Sequence, residues 1–511
     1  MNVTLCSWDV KTGFNKRFAL CYTVAMSENK IVHFVGIKGT GMAALVEVMS
    51  RQGVRITGSD VSDRFYTDEI LEKLGIKVLP FSEKNITDDV GAVIYSSAYS
   101  PETNPDLMAA KKKGLPLKLY SEALGELSRS AYSVGVCGVH GKTTTTGLAG
   151  TLLKAVNLPS QALAGSVIAS FGNSCTMTSD SFAEGKPSYF VAETCEYQRH
   201  FLAFSPKKII LTSVESDHQD YYPKYADIRK AFVEYILKLP QRGQLIYCAD
   251  DSGAVETAGL AKQVRPDIEL IPYGENALGN YKLTFLEVSG DMQFFTVGHL
   301  GKFALTVPGR HMVRNATSAI ALCCELLREE GLEPHEHLSQ IREGLLSFTG
   351  GKRRSEITGK GKTKGGQDVI FMDDYAHHPT AIRTTLAGYR DFYKKRKIIV
   401  DFMSHTYSRT QALLGEFAES FSDADAVIIN KIYASAREKQ GKIKVTGEIL
   451  AERTSYQHRN VFFCGEFEEA AKKILSLLEE PSGSEYPDGY LVVTMGAGDN
   501  WKVGSLVKEG L

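Results

Sequence analysis

The chain has 511 residues and a mass of 56.2 kDa, a length that predicts two or three domains and excludes a peptide hormone, a disulfide-stapled mini-domain and a coiled-coil rod. Its 59 Lys and Arg residues nearly cancel its 60 Asp and Glu residues, so we expect no bulk attraction to nucleic acid or to an anionic membrane, and a polyanion would need a local site. The nine cysteines are scattered without a C-x-x-C pair, which indicates neither a disulfide framework nor a zinc ribbon and fits a reducing cytoplasm.

The first 29 residues are expected to form an extension that the fold does not need. Their longest apolar stretch, residues 18–26, is too short to span a bilayer and is followed by polar residues rather than by a small-residue cleavage site. We therefore expect no membrane insertion. Met1 and Met26 are both candidate starts of translation, and expression from Met26 is expected to give soluble, active protein.

The first predicted unit is a strand, a glycine turn and a helix. Apolar residues 31–35 lead into Gly-Ile-Lys-Gly-Thr-Gly at positions 36–41, after which Met42, Leu45, Val46 and Met49 recur at helical spacing. The turn has the form G-x-x-G-x-G rather than the dinucleotide fingerprint G-x-G-x-x-G, and Asp60 follows the second predicted strand at a distance suited to a ribose hydroxyl. A nucleotide diphosphate fits this turn, and glycines that serve only close packing are the alternative.

The second unit repeats this architecture with a different loop. Residues 132–136 form an apolar strand, Gly-Val-His-Gly-Lys-Thr-Thr occupies positions 138–144, and a helical pattern follows. Backbone N–H groups and a helix N-terminus favour an anion there, Lys142 can reach outer phosphates and Thr143 can offer a hydroxyl to Mg²⁺; a tight turn with a solvated lysine is the alternative. A second Gly-Lys-Thr at positions 361–363 lacks this context, and we interpret residues 359–366 as a solvated surface loop.

Acidic and imidazole side chains follow the next two predicted strands. Glu193 ends one strand, and Asp217 and His218 follow another. Because the carboxyl ends of parallel strands face the crevice in which open α/β sheets bind ligands, these groups are candidates for a ligand or metal site. A buried, hydrogen-bonded His218 is the alternative, since Mg²⁺ prefers oxygen ligands.

The third region begins near residue 348 and alternates apolar strands with helical patterns, which predicts βαβ units on a largely parallel sheet. We place domain boundaries near Ser130 and Ser347, giving domains at 30–130, 131–347 and 348–511. The sequence Asp-Asp-Tyr-Ala-His-His-Pro at positions 373–379 follows one strand, and Arg409 follows the next. Arg409 is suited either to a bidentate clamp on a carboxylate or to a surface ion pair.

The order and spacing of these motifs resemble the Mur ligase family, ATP-dependent amide-forming enzymes of peptidoglycan precursor synthesis. The resemblance extends from about Lys30 to about Gly498. It implies three α/β domains: a Rossmann-like N-terminal domain that holds a UDP-sugar, a central P-loop ATPase-like domain with a mostly parallel sheet that holds ATP and Mg²⁺, and a Rossmann-like C-terminal domain that receives the amino acid.

The resemblance also implies roles for individual residues. The implied ATP site comprises Gly138, Val139, His140, Gly141, Lys142, Thr143, Thr144, Asn315, Arg354 and Asp374. The implied Mg²⁺ ligands are Thr143, Glu193 and His218, and catalytic roles fall to Lys142, Glu193, His218 and Arg354. Contacts to the UDP-sugar are implied for Gly39, Gly41, Asp60 and Ser96, and contacts to the amino acid and muramate for Tyr375, His377, His378, His405 and Arg409.

The branch of the family that the chain resembles most joins L-alanine to the lactyl carboxylate of UDP-N-acetylmuramate through an acyl phosphate in the cytoplasm. A recycling ligase that adds a whole tripeptide and a non-catalytic nucleotide-binding regulator are the alternatives. The sequence does not distinguish L-alanine from glycine or L-serine, and it leaves the oligomeric state as monomer or weak homodimer. Departures from the family pattern occur at Ser213, Met312, Met403, Ser404, Thr406 and Lys431.

Overall fold

The computed structural model describes residues 30–183, 186–434 and 444–511, so the extension expected at residues 1–29 lies outside the described residues. Three β-sheets of five, ten and six strands follow one another along the chain, with helices packed against them. Most neighbouring strands are parallel, which confirms the predicted α/β fold. Among the described residues, none of the helices is long and apolar enough to cross a membrane.

The N-terminal sheet consists of five parallel strands. They are β1 (Ile31–Val35), β2 (Arg55–Ser59), β3 (Val78–Leu79), β4 (Val90–Tyr95) and β5 (Leu117–Leu119). The helices of this region are α1 (Thr40–Arg51), α2 (Asp68–Lys73), α3 (Pro105–Lys112) and α4 (Tyr120–Arg129). The strand order is β3-β2-β1-β4-β5, so the glycine turn after β1 lies at the topological switch point, where sheets of this kind bind ligands.

The central sheet is the largest and combines parallel and antiparallel strands. Its strands are β6 (Tyr132–Cys137), β7 (Ser160–Ile168), β8 (Ser174–Thr178), β9 (Tyr189–Glu193), β10 (Lys208–Leu211), β11 (Gln244–Cys248), β12 (Glu269–Gly274), β13 (Tyr281–Ser289), β14 (Met292–Val297) and β15 (Gly301–Leu305). Its helices are α5 (Lys142–Ala155), α6 (Tyr225–Ile236), α7 (Ser252–Val264), α8 (Arg310–Glu329) and α9 (Leu338–Ser347). The strand order β15-β14-β13-β12-β11-β10-β6-β9-β7-β8 places β6 at a second switch point.

The C-terminal sheet has the order β16-β17-β21-β18-β19-β20 and only its first pair is antiparallel. Its strands are β16 (Glu356–Lys362), β17 (Asp368–Asp374), β18 (Lys397–Met403), β19 (Ala426–Ile429), β20 (Val461–Phe463) and β21 (Tyr490–Gly496). Its helices are α10 (Pro379–Phe392), α11 (Tyr407–Ala412), α12 (Leu414–Ala418), α13 (Gly447–Ser455), α14 (Phe467–Glu479) and α15 (Trp501–Gly510).

The parallel strands β17, β18, β19 and β21 of the C-terminal sheet are buried almost throughout, which explains their apolar runs. Along β17, Ile370 and Met372 belong to the cluster packed under α10, whereas Val369 and Phe371 belong to the cluster packed under α14 and α15. Because successive side chains of a strand point to opposite faces, a parallel strand covered by helices on both sides needs an unbroken apolar run.

The interpretation of residues 359–366 as a surface loop is wrong for the first half of this segment. Residues 359–362 continue β16, which pairs antiparallel with β17, and only the turn that follows is a loop. The lysines and glycines are compatible with a strand here because β16 is an edge strand, where exposed charged side chains are common. The Lys362 side chain is 71% exposed, so its solvation was predicted correctly.

Candidate active site

The loop between β6 and α5 has the backbone of a phosphate cradle. Gly138 has φ of 134° and Gly141 has φ of 80°, a region that favours glycine. A Cβ atom at Gly141 would lie 2.7 Å from Oδ1 of Asn315, so the loop and the start of α8 approach too closely for any side chain. Ser213 stabilises the same loop, because its hydroxyl accepts the His140 N–H at 2.9 Å and its carbonyl accepts the Val139 N–H at 3.0 Å.

Lys142 is the first residue of α5 and lies in a nearly closed environment with a carboxylate beside it. Its Nζ is 3.0 Å from Oε2 of Glu196, whose Oε1 is 3.4 Å from Nε2 of His218. Burial alone would lower the pKa of Lys142, but Glu196, Cys195 and Glu193 together outweigh burial, with Glu196 contributing most, and the pKa lies above its usual value. Likewise burial would raise the pKa of Glu196, but Lys142 and His218 lower it. The three side chains therefore form a continuous series of polar contacts beside the phosphate loop.

Glu193 lies beside the phosphate loop and faces a cavity. It is aligned with Val136 across the β6–β9 pair, and its Oε2 accepts the Gly165 N–H at 2.7 Å. A cavity of about 330 Å³ between the N-terminal and central sheets is lined by Glu193 together with the predicted UDP-sugar residues Gly39, Gly41 and Ser96.

Asp60 does not line this cavity. Its Oδ2 accepts the N–H of Lys38 at 2.7 Å and its Oδ1 accepts the hydroxyl of Tyr99 at 3.0 Å. The carboxylate thus holds the backbone of the glycine turn after β1. Asp60 therefore affects the cavity through the glycines of this turn that line it.

The segment that joins the central and C-terminal sheets carries Arg354 in a constrained backbone. Arg353 and Ser355 on either side both have positive φ, 56° and 53°. The Arg353 guanidinium donates to Asp373 at 2.8 Å and to the carbonyl of Gly496 at 2.7 Å. This anchoring leaves the Arg354 guanidinium 5.0 Å from the centre of the Tyr375 ring.

Asp374, predicted to contact ATP, is engaged by the protein through both carboxylate oxygens. Oδ2 accepts the Ser355 N–H at 2.8 Å and the Tyr389 hydroxyl at 3.1 Å, and Oδ1 accepts the Ala376 N–H at 2.8 Å. Its position in this structure therefore secures the linker that carries Arg354.

Positive charge concentrates near the start of α8. Burial, followed by the charges of Arg314, His140 and Arg354, lowers the pKa of His311 to about 3. Asn315 is also buried here against Gly141, and Met312 packs into the hydrophobic core of the central domain. A site of this kind favours an anionic ligand next to the phosphate loop.

Four of the five residues predicted to contact the amino acid and muramate lie together. The ring of His377 is 4.9 Å from that of Tyr375 and 5.9 Å from that of His405. Arg409 lies 2.7 Å from the carbonyl oxygen of His405, to which its Nη1 donates. His378 lies apart from this group, with its Nδ1 3.6 Å from Glu215.

Arg409 forms a buried ion pair with a residue of the central domain. Its Nε and Nη2 donate to Oδ1 of Asp217 at 3.1 and 2.8 Å, and both side chains are 7% exposed. Burial would raise the pKa of Asp217, but Arg409, together with His218 and His377, holds it far below its usual value. Arg409 therefore forms an ion pair, as one alternative predicted, but the prediction that this pair lies on the surface is wrong. The pair is buried and joins two domains.

The sequence interpretation assigned no role to Glu196, Glu215 or Arg353, and it left the partner of Asp217 open. Glu196 pairs with Lys142, Asp217 with Arg409, Glu215 with His140 and His378, and Arg353 with Asp373. A usable signal existed for the three acids, since each follows a parallel strand within seven residues of its carboxyl end.

The phosphate loop carries a lysine and lies at the switch point of a parallel sheet, and two further α/β units flank it. These features define a three-domain P-loop nucleotide-binding protein. Residues 31–132, 136–323 and 353–498 match, in this order, the models of the Mur ligase family catalytic domain, the Mur ligase middle domain and the Mur ligase glutamate ligase domain. The chain belongs to the Mur ligase family.

Several curated relatives are similar over nearly the whole chain. UDP-N-acetylmuramate–L-alanine ligase of Treponema pallidum is 48% identical over 480 residues, covering 93% of this chain and 95% of the relative. The enzyme of the same name from Borreliella afzelii is 36% identical, covering 92% and 97%.

Solved structures share the fold. UDP-N-acetylmuramate-alanine ligase of Thermotoga maritima superposes with a TM-score of 0.71 at 24% identity, covering 94% of this chain and 98% of that one. A murein peptide ligase of Psychrobacter arcticus gives a TM-score of 0.63 at 20% identity with the same coverage. At these identities the likeness establishes the fold alone.

Proposed function

We propose that this chain uses ATP to join L-alanine to the lactyl carboxylate of UDP-N-acetylmuramate, giving UDP-N-acetylmuramoyl-L-alanine, ADP and phosphate. The observation that carries the proposal is a series of contacts that links Lys142 to Arg409. Lys142 pairs with Glu196, Glu196 contacts His218, and the adjacent Asp217 pairs with Arg409. A phosphate-binding cation and a carboxylate-binding cation from different domains suit a reaction that activates one carboxylate and positions an amine bearing another. The names of the relatives support this choice.

The chemistry requires charge neutralisation more than a dedicated nucleophile. ATP phosphorylates the lactyl carboxylate, the amine of the amino acid attacks the acyl phosphate, and phosphate leaves. Lys142 and Arg354 would neutralise the oxygens of the transferring phosphoryl group. Arg409 would hold the carboxylate of the amino acid and thereby direct its amine, so that positioning and electrostatics supply most of the rate enhancement.

The residues present fit the Mg²⁺ that the family implies. Thr143 is buried at the start of α5, Glu193 ends the strand next to the phosphate loop, and both offer oxygen ligands, which Mg²⁺ prefers. His218 lies on the same side, linked to Lys142 through Glu196. When bound, Mg²⁺ would neutralise charge between the nucleotide and the sugar carboxylate.

The cavity between the N-terminal and central sheets is the proposed site of the UDP-sugar. Gly39 and Gly41 line it at the N-terminus of α1, where backbone N–H groups and the helix dipole favour a diphosphate. Glu193 lines the same cavity, so a sugar bound there would approach the proposed metal ligands.

The proposal includes a cytoplasmic reaction, because ATP is a cytoplasmic co-substrate and the cysteines of the described chain are free thiols, as a reducing compartment maintains them. The expectation of a monomer or a weak homodimer stays a prediction.

A phosphate-release assay with UDP-N-acetylmuramate, ATP and one amine at a time tests the function. L-alanine should support turnover at lower concentration than glycine or L-serine, and the stem tripeptide should support little. Preference for the tripeptide would assign the chain to the recycling reaction, and no phosphate release with any amine would indicate a nucleotide-binding regulator.

Titration of activity against Mg²⁺ tests the metal ligands separately. Glu193→Gln and His218→Ala should both raise the Mg²⁺ concentration needed for half-maximal activity, since each removes a proposed ligand. A His218→Ala variant with an unchanged Mg²⁺ dependence and merely lower thermal stability would contradict the metal role.

A further inference from the structure

Three side chains with metal-binding atoms converge between the phosphate loop and the C-terminal domain. One ligand atom each from His140, Glu215 and His378 lies within 4.8 Å of the other two, and no other group of three His, Cys, Asp or Glu residues in the described parts of the chain meets this condition. His140 belongs to the phosphate loop, Glu215 follows β10, and His378 precedes α10. The group therefore spans two domains.

The carboxylate of Glu215 is held so that one oxygen faces both imidazoles. Oε2 accepts the hydroxyl of Thr380 at 2.9 Å, which fixes the carboxylate. Oε1 contacts Nε2 of His140 and lies 3.6 Å from Nδ1 of His378. Nδ1 of His378 also receives the Thr380 N–H, but at 3.4 Å this bond is long.

The environment of the group favours a metal over a simple ion pair at His378. This side chain is 3% exposed, burial lowers its pKa, and its Nε2 has no hydrogen-bond partner in the described structure. A neutral imidazole is the form that binds metal. His140 and Glu215 are 28% and 27% exposed, which leaves a path for an ion and room for water ligands.

The donor set distinguishes this group from the proposed Mg²⁺ ligands. Two imidazoles and one carboxylate are typical of sites for Zn²⁺ and neighbouring first-row transition ions, and such sites usually complete their coordination with water. Mg²⁺ prefers oxygen ligands throughout.

We propose that His140, Glu215 and His378 form a transition-metal site that ties the C-terminal domain to the phosphate loop. Occupancy by an ion such as Zn²⁺ would hold the start of α10 against the loop and oppose separation of the two domains. The proposal concerns the protein without substrates and does not depend on which amine the protein uses.

Titration of Co²⁺ into the full-length chain without nucleotide tests the site, because Co²⁺ bound by imidazole and carboxylate absorbs visibly. We expect a band that saturates at one equivalent and that Zn²⁺ abolishes by displacement. Glu215→Gln, which keeps the size of the side chain, and His378→Ala should each weaken Co²⁺ binding by more than about tenfold.

A matched variant makes the test specific. His218→Ala removes a different imidazole from the same segment as Glu215, so it should retain the band. A band that survives Glu215→Gln, or that His218→Ala alone abolishes, would overturn the proposal. Thermal unfolding gives a second readout: Zn²⁺ should raise the midpoint of the parent chain and leave that of Glu215→Gln unchanged, and an equal rise in both would likewise overturn it.

Discussion

Lys142 keeps its charge in a nearly closed site because Glu196 lies beside it. The side chain of Lys142 is 14% exposed and that of Glu196 is 2% exposed, so each compensates for the desolvation of the other. A phosphate arriving at the loop would compete with Glu196 for the ammonium group. The pair therefore holds Lys142 charged and in place before a nucleotide binds.

Lys142→Ala is expected to lower kcat/KM for ATP by at least about 100-fold, because it removes the charge that meets the transferring phosphoryl group. Steady-state phosphate release measures the loss, and circular dichroism checks the fold. Lys362→Ala is the matched control, since that lysine occupies the second Gly-Lys-Thr and forms only an exposed ion pair with Asp368. Equal damage from both substitutions would contradict the assignment of the phosphate loop.

Arg409→Lys is expected to raise the KM for L-alanine by about tenfold or more and to change those for ATP and UDP-N-acetylmuramate only a few-fold. A guanidinium has five N–H groups, and the contacts to Asp217 and His405 leave at least one for a substrate carboxylate. Lysine keeps the charge but cannot hold Asp217 and a ligand together. L-alanine amide should be a poor substrate of the parent chain, and efficient use of the amide would remove this role from Arg409.

The phosphate loop, as an element, depends on glycine at positions where other residues would collide. Gly141 has φ of 80° and an added Cβ would meet Asn315 of α8. Gly53 has nearly the same φ, 78°, but nothing lies within 4 Å of an added Cβ. Gly53, which lies between α1 and β2, therefore offers a position of similar backbone strain without a collision and outside the phosphate loop.

Gly141→Ala is expected to weaken ATP binding by about tenfold or more, because both strain and collision displace the loop from α8. Gly53→Ala should reduce stability by about 1 kcal/mol from strain alone and leave ATP binding unchanged. Isothermal titration with a non-hydrolysable ATP analogue, together with chemical denaturation, measures both quantities. An equal loss of ATP affinity in Gly53→Ala would show that the effect does not depend on the place of Gly141 in the phosphate loop.

The segment after β10 is the second element that organises the site. Glu215 contacts His378 and Thr380, Asp217 contacts Arg409, and His218 contacts Glu196. Three of the four residues 215–218 thus connect the phosphate loop, through the contact of Glu215 with His140, to two segments of the C-terminal domain. A displacement of this segment would therefore alter the proposed ATP site and the proposed amino-acid site together.

At the scale of the whole molecule, the Asp217–Arg409 pair holds the C-terminal domain against the central domain. Asp217→Asn leaves the guanidinium buried without a counter-ion, which typically costs about 3–5 kcal/mol. Separation of the domains relieves this cost by exposing Arg409 to water. We expect the C-terminal domain of the variant to unfold in a separate transition at lower temperature.

Differential scanning calorimetry of the full chain detects such a change. Lys431→Ala is a suitable control because its ion pair with Glu466 is within the C-terminal domain and its side chains are 59% and 61% exposed. The control should unfold like the parent chain, since exposed pairs contribute little. A single unchanged transition in Asp217→Asn would show that the buried pair does not hold the domains together.

The sequence by itself determined the features that depend on neighbours along the chain. The α/β class, the strand before Gly138 and the helix after Lys142 follow from apolar periodicity and glycine placement, which are local. The exposure of Lys362 follows from composition. Its secondary structure does not, because pairing with β17 overrides the loop-like glycines and lysines of residues 359–362.

Only the tertiary structure decided which charges face one another. Glu196 lies 54 positions from Lys142 and Asp217 lies 192 positions from Arg409, so no local pattern assigns either partner. His378 is adjacent to His377 in the sequence, yet its side chain lies next to Glu215 of another domain. Each of these pairings is set by the packing of three separately formed sheets, and a buried charge is stable only with the partner that this packing supplies.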